Sequence, residues 1–200
     1  MEMHNLEKLF VNSSVWSWVI KRWMVPRVVK FAGPLQGKIL ELGCGQGVTS
    51  EEILKLLPSI HLTSLDYDPK QVALAKVRLE KYGKQCALIQ GDATRLFFKK
   101  SAFDVVIELN AFHHIEGFQN AMKEANRVLK PGGIFLCKDI GLYSLAGSKI
   151  GWNFGEGFFS KKSFIDDLEN AGFKILKTRG IWWFTIMAKK PAGKMAKQKN

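Results

Sequence analysis

Short apolar runs alternate with amphipathic helical stretches along most of this 200-residue chain, and that alternation limits it to few architectures. Residues 38–42, 60–65, 86–90, 103–109 and 134–138 read as strands. Between them, 48–57 places Ile53, Leu54 and Leu57 at helical spacing before Pro58. Residues 69–82 open on Pro69, carry Val72, Ala75 and Leu79 as one stripe, and stop at Gly83. Residues 119–129 form a third helix, stopped by Pro131, Gly132 and Gly133, and 161–170 a fourth. The run 103–109 is nearly all apolar, as suits a strand covered on both faces. Strands separated by helices lie parallel, joined by right-handed crossovers. The last two runs, 173–179 and 182–188, have only a turn at Gly180 between them and must pair as a hairpin. The expected fold class is therefore α/β: a doubly wound, mostly parallel seven-stranded sheet with one antiparallel strand near an edge.

Residues 1–190 are expected to form one domain, with 1–33 a helical cover, 141–159 an insertion on the substrate side and 191–200 a basic disordered tail. Net charge is +12, but the stretch from Lys174 to Asn200 holds eight Lys and Arg and no acid, which leaves only +4 on the rest. Such an end reads first as a solvated tail and second as attraction to an anionic surface, nucleic acid or membrane. Cys44, Cys86 and Cys137 are far apart in sequence and give neither a zinc spacing nor a disulfide framework. With no signal-peptide pattern at the start, and with the early apolar run at 15–20 ended by Lys21 and Arg22, a cytoplasmic protein is expected.

The segment Ile39-Leu40-Glu41-Leu42-Gly43-Cys44-Gly45-Gln46-Gly47 joins the first strand to a helix. Glycines there let the backbone turn sharply and approach a ligand, and the helix offers free N–H groups at its positive end. Val48 stands where a dinucleotide fingerprint wants its third glycine, and no Lys follows as in a phosphate loop. The next strand ends at Asp66 and the third in Gly91-Asp92-Ala93, so two carboxylates reach one rim. A carboxylate at the first position accepts from ribose hydroxyls, and one at the second suits a purine amine. Taken singly, each reads equally as the N-cap of a following helix. Their placement at successive strand ends favours binding.

The pieces ELGCGQG, LDYDP, GDA, FDVVIELNAFHHI and RVLKPGGIF, in this order, resemble a class I S-adenosylmethionine-dependent methyltransferase of the small-molecule type, with its Rossmann-like fold. The resemblance runs from Gly37 to Gly133 and more loosely to Ala188. It implies S-adenosylmethionine as cofactor. It implies that Glu41, Gly43, Gly45 and Gly47 lie against the methionine portion, that Asp66 holds the ribose with Tyr67 flanking the adenine, that Asp92 and the backbone of Ala93 meet the adenine, and that Asn110 backs the methionine moiety.

Methyl transfer from a sulfonium is an in-line displacement of an already activated group, so the protein mainly supplies position and dryness. A general base is needed only for a nucleophile protonated at working pH. His113 and Asp139 are the catalytic candidates; His113 and His114 are adjacent and point apart, so at most one faces a substrate. For each His a lining role comes ahead of base catalysis, and for Asp139 a loop hydrogen bond stands level with substrate contact. No carboxylate cluster assembles at the rim, so no metal is expected.

His114, Tyr143, Trp152 and Phe154 are the substrate-side candidates, the last three in a Gly- and aromatic-rich stretch after the fifth strand. Asn12, Ser13 and Ser14 can cap a helix running to Phe31, bent or interrupted at Pro26, with Trp16, Val19, Ile20 and Trp23 on one face. That face is expected to close as a lid over the site; the second reading is peripheral membrane contact. The leading expectation is a methyltransferase acting on a small, largely apolar acceptor such as a lipid headgroup, quinone or other metabolite. The alternatives are RNA or protein methylation aided by the basic end, and a cofactor-binding protein without catalysis. Against nucleic acid, Asn110-Ala111-Phe112-His113 stands where an N-P-P-[YF] segment would mark methylation of base amino groups.

Overall fold

The computed structural model describes residues 12–141 and 159–192. Seven strands, β1 (Lys38–Leu42), β2 (His61–Asp66), β3 (Cys86–Gln90), β4 (Phe103–Leu109), β5 (Leu129–Ile140), β6 (Lys174–Arg179) and β7 (Trp183–Lys189), form one sheet in the order β3-β2-β1-β4-β5-β7-β6. The first five pair in parallel, and β7 runs antiparallel to both β5 and β6. The single reversal follows from the short link 180–182, which is far too short for a crossover.

Neighbouring strand residues face opposite layers. Ile39, Leu62, Val105 and Ile107 pack under α1 (Ser14–Val19), α2 (Val25–Ala32), α3 (Val48–Leu56) and α4 (Pro69–Leu79), together with Val28, Ile53 and Leu79. Leu40, Val106, Phe135 and Phe184 face the other way, onto α5 (Phe118–Val128) and α6 (Lys161–Asn170), with Met122, Phe164 and Leu168. The sheet is therefore wound on both faces. This leaves the carboxyl ends of the parallel strands along one rim, where ligands bind in such sheets.

Three local features differ from the pattern read in the sequence. The helix before Pro131 ends at Val128, and β5 begins at once and runs through Pro131-Gly132-Gly133; the sequence had these residues only as a stop. The ladder with β4 slips there, between Phe103 and Val105, so Pro131 sits at an irregularity that needs no N–H from it. The helix starting at Pro69 ends at Leu79 and tightens into a 3₁₀ turn over Glu80–Gln85.

The third difference reshapes the N-terminal helix. Ser13 caps it, its hydroxyl accepting from the Trp16 N–H at 3.1 Å. The disturbance does not fall at Pro26 but just before it, as a π turn over Ile20–Met24 closed by the Val25 N–H on Ile20 O. Pro26 lacks the N–H that would bond Arg22 O, and the preceding turn widens. The extra residue carries Met24, not Trp23, to the buried side beside Ile20. The single face of Trp16, Val19, Ile20 and Trp23 is thus split: Ile20 is buried, Trp16 and Val19 half-buried, Trp23 exposed.

Candidate active site

The ends of β1, β2, β3 and β4 open on a cavity of about 520 Å³, roofed by Trp16, Ile20 and Met24 of the N-terminal helix. Two glycines of the loop after β1, Gly43 and Gly45, shape its floor. The N–H groups of Gly43 and Cys44 both donate to Leu65 O, at 2.8 and 3.0 Å, which turns the chain back over β2. Gly43 has φ +74°, and a Cβ there would stand 2.3 Å from the Cβ of Ala111, so the loop and the end of β4 touch only because a side chain is missing. Gly45, at φ +53°, has no atom nearer than 3.9 Å to a would-be Cβ: it fronts the open cavity. Gly47 lies behind, against Ala75 and Leu79, at the start of α3.

Glu41 is brought to the loop but not to the cavity. Its buried carboxylate accepts from the hydroxyls of Thr49, of Ser50 at 2.5 Å and of Ser64 at 2.8 Å. Burial pushes its pKa up, and the three hydroxyls work against that. Glu41 therefore fastens the first turn of α3 to β1 and β2 from behind.

Both rim acids face the cavity. Asp66 Oδ2 accepts from the Gly45 N–H at 2.7 Å and Oδ1 from the Asp68 N–H at 3.0 Å. Asp68, not Asp66, caps α4, through the Lys70 N–H. Burial raises the Asp66 pKa despite the backbone donors. Asp92 Oδ1 accepts from the Thr94 N–H and hydroxyl, at 2.8 and 2.7 Å, and no helix follows it. The cap reading thus fails for both acids, and both line the cavity with Tyr67 and Ala93.

Asn110 ends β4 with φ +59°, a left-handed conformation that Asn tolerates better than most residues. Its Nδ2 points to Met24 Sδ at 3.0 Å, and its buried Oδ1 has no hydrogen-bond partner among the described residues. An open cradle at Gly45, an acceptor without a donor at Asn110 and two acids beside them fit an amino-acid-bearing nucleoside such as S-adenosylmethionine.

The structure separates the histidines. His114 lines the cavity, and burial, with His113 close by, lowers its pKa to about 3. His113 turns away: its Nδ1 lies 2.5 Å from Asp139 Oδ1 and its N–H donates to Asp139 Oδ2 at 3.3 Å. Asp139 is wholly buried and also takes the Ile140 N–H. Neither His113 nor Asp139 is among the described residues of the cavity wall, and Asp139 makes the loop hydrogen bonds that the sequence set level with substrate contact. Behind them Glu108, also fully buried, accepts from the N–H groups of Ala111 and Phe112 and from Cys137 Sγ. Burial and the neighbouring Asp139 raise its pKa strongly. Tyr143, Trp152 and Phe154 lie outside the described residues.

Several wall residues were not singled out from the sequence. Thr94 was readable: its spacing from Asp92 is that of a local side-chain turn. Leu65, Leu109 and Ile115 were hidden among apolar strand and loop residues, and Gln71 among polar residues of α4. Among the described residues, no group of three or more His, Cys, Asp or Glu side chains is placed to hold a metal.

Residues 40–137 match a family model described as a methyltransferase domain. The seven-stranded fold and the site just described agree with that match: residues 40–137 carry a methyltransferase domain, and the fold is that of the class I S-adenosylmethionine-dependent methyltransferases. The cofactor of that class is S-adenosylmethionine. The chain is similar to a sterol 24-C-methyltransferase of Gibberella zeae, with 38% identity over 49% of this chain and 26% of that protein. It is 36% identical to a demethylmenaquinone methyltransferase of Leptospira interrogans, over 56% of this chain and 45% of the relative. It thus spans less than half the length of these curated relatives. In fold it resembles a SAM-dependent methyltransferase from Aquifex aeolicus, with a TM-score of 0.77 and 16% identity over 94% of this chain and all of that one.

Proposed function

We propose that this protein transfers the methyl group of S-adenosylmethionine to a small, largely apolar acceptor, of the lipid-headgroup, quinone or similar metabolite class. The observation that carries this reading is the cavity itself. Its wall joins Asp66, Asp92 and the glycine loop with the apolar side chains of Trp16, Ile20, Met24, Leu109 and Ile115. The two relatives named for a sterol and for demethylmenaquinone act on apolar molecules, which supports the same class of acceptor.

S-adenosylmethionine, when bound, supplies a methyl group already activated on a sulfonium. In this reading Asp66 accepts from ribose hydroxyls, with its place fixed by the Gly45 and Asp68 N–H groups. Asp92 uses Oδ2, the oxygen Thr94 leaves open, for the purine amine, with Tyr67 and Ala93 alongside. Gly43, Gly45 and Asn110 meet the amino-acid end, and Glu41 and Gly47 support them from behind. The apolar roof excludes water from the acceptor. His114 stays a neutral wall residue, since a pKa of about 3 makes it a poor base. His113 and Asp139 act as positioning residues, holding the turn that carries His114, whose ring centroid is 3.8 Å from that of His113.

Incubation with methyl-tritiated S-adenosylmethionine and separate sterol, quinol and phospholipid acceptors tests this. Label should pass into the organic phase with one of them. Label that stays in the aqueous phase with all of them, or that reaches only added RNA or protein, would contradict the proposed acceptor class.

A further inference from the structure

We infer that the outer surface shared by the N-terminal helix and the β6–β7 hairpin docks on an anionic lipid bilayer, next to the roof of the cavity. The two elements are one surface. Trp16 of the roof meets Trp183 of the hairpin with ring centroids 6.3 Å apart, and Lys177 Nζ lies 4.8 Å from the ring of Phe31. In these two elements large apolar side chains face solvent: Trp18 is 58% exposed, Ile181 77% and Trp182 52%, and Val15, Trp23 and Trp183 are exposed as well. Such groups are ordinarily buried, and when grouped on a surface they mark an interface.

Charge selects the partner. Arg22, Arg27, Lys30, Lys174, Lys177 and Arg179 are all exposed, and no Asp or Glu occurs in 12–36 or 173–192. Arg27 lies over the Trp23 ring at 4.0 Å, so cation and indole are presented together. Tryptophan with adjacent Lys and Arg suits the headgroup layer, where the indole is half in hydrocarbon and the cation meets lipid phosphate. Among the described residues no helix is long and apolar enough to cross a membrane, so contact is lateral. The surface adjoins the roof through Trp16, which itself lines the cavity. An acceptor dissolved in the bilayer then reaches the site without passing through water; this last step rests on the acceptor class proposed above, whereas the docking surface does not.

The test is co-sedimentation of the full chain with mixed phosphatidylcholine–phosphatidylglycerol vesicles, against pure phosphatidylcholine. The chain should bind only the mixed vesicles, and its tryptophan emission should shift blue. Raising salt from about 0.1 M to about 0.5 M should release most of it, since screening shortens the reach of the cations. Trp18→Ala with Trp182→Ala, and separately Arg22→Glu with Arg179→Glu, should each weaken binding on the order of tenfold, through lost apolar insertion and lost lipid attraction respectively. An unchanged melting temperature and unchanged heat of S-adenosylmethionine binding in both variants show that they fold. No sedimentation with the mixed vesicles, or undiminished binding in both variants, would overturn the inference. So would tighter binding to polyuridylate than to vesicles, unaffected by the tryptophan changes, which assigns the surface to nucleic acid. Vesicle binding without methylation of any apolar acceptor upholds the surface and removes only the acceptor class.

Discussion

The Gly45 N–H donates to Asp66 Oδ2 at 2.7 Å, tying the loop after β1 to the end of β2. One bond therefore sets both the floor of the cavity and the acid that faces it. Asp66→Ala should weaken S-adenosylmethionine binding by about 1–3 kcal/mol, the cost of losing a charged acceptor. Asp68→Ala should instead lower stability by about 1 kcal/mol through the lost cap of α4. Titration calorimetry and thermal melting of the two variants separate these effects; a shared phenotype would contradict the assignment.

Two glycines of the same loop should fail in different ways. Gly43→Ala drives a Cβ into that of Ala111 and should destabilise the fold by about 1–3 kcal/mol. Gly45→Val meets open cavity, so beyond the roughly 1–2 kcal/mol cost of a left-handed backbone its effect should fall on cofactor affinity. Melting curves with and without S-adenosylmethionine distinguish them: the ligand should stabilise the folded fraction of Gly43→Ala but not Gly45→Val.

Glu51 and Glu108 should give opposite pH dependences. Burial favours the neutral form of Glu51, but hydrogen bonds from Lys21 and Lys81 outweigh it and bring its pKa to about 2. Its contribution to stability is complete above its unfolded value near 4.5 and is lost as pH falls through about 2. Lys21 sits on the π turn, so Glu51 also ties the roof of the cavity to α3. Glu51→Gln should cost about 1–2 kcal/mol at neutral pH and less in acid. Glu108 has a folded pKa far above 4.5, raised by burial and by Asp139. The folded chain then keeps a proton that the unfolded chain releases, and stability falls as pH rises from about 4.5 towards that raised value. Glu108→Gln keeps an acceptor for Ala111 and Phe112 and should flatten this loss. Melting temperature against pH for the three proteins checks both signs.

His114 should remain neutral through the physiological range, given its pKa of about 3. Imidazole resonances followed by NMR should show no His114 titration between about pH 5 and 8. A midpoint near the ordinary histidine value would return His114 to the list of bases.

How much of this was legible in the sequence depended on how local the signal was. The strand ends at Asp66, Asp92 and Asn110 follow from periodicity and turn residues a few positions away, and the mostly parallel sheet follows from the alternation that contains them. The roles of Glu41 and Asp139 did not. Glu41 is held by three hydroxyls from two places in the chain, Thr49 with Ser50 and Ser64, and Asp139 by a histidine 26 residues before it. No spacing rule links such groups until the strands are aligned. The N-terminal helix misled in another way: a regular period puts Trp23 with Trp16 and Ile20, but the one-residue gain of the π turn puts Met24 there.

The most direct test of the account is calorimetric titration of S-adenosylmethionine, and of its demethylated product, into the purified chain. Each should bind with one-to-one stoichiometry and micromolar affinity, about −8 kcal/mol. No heat and no thermal shift with either, together with binding of NAD, would contradict it.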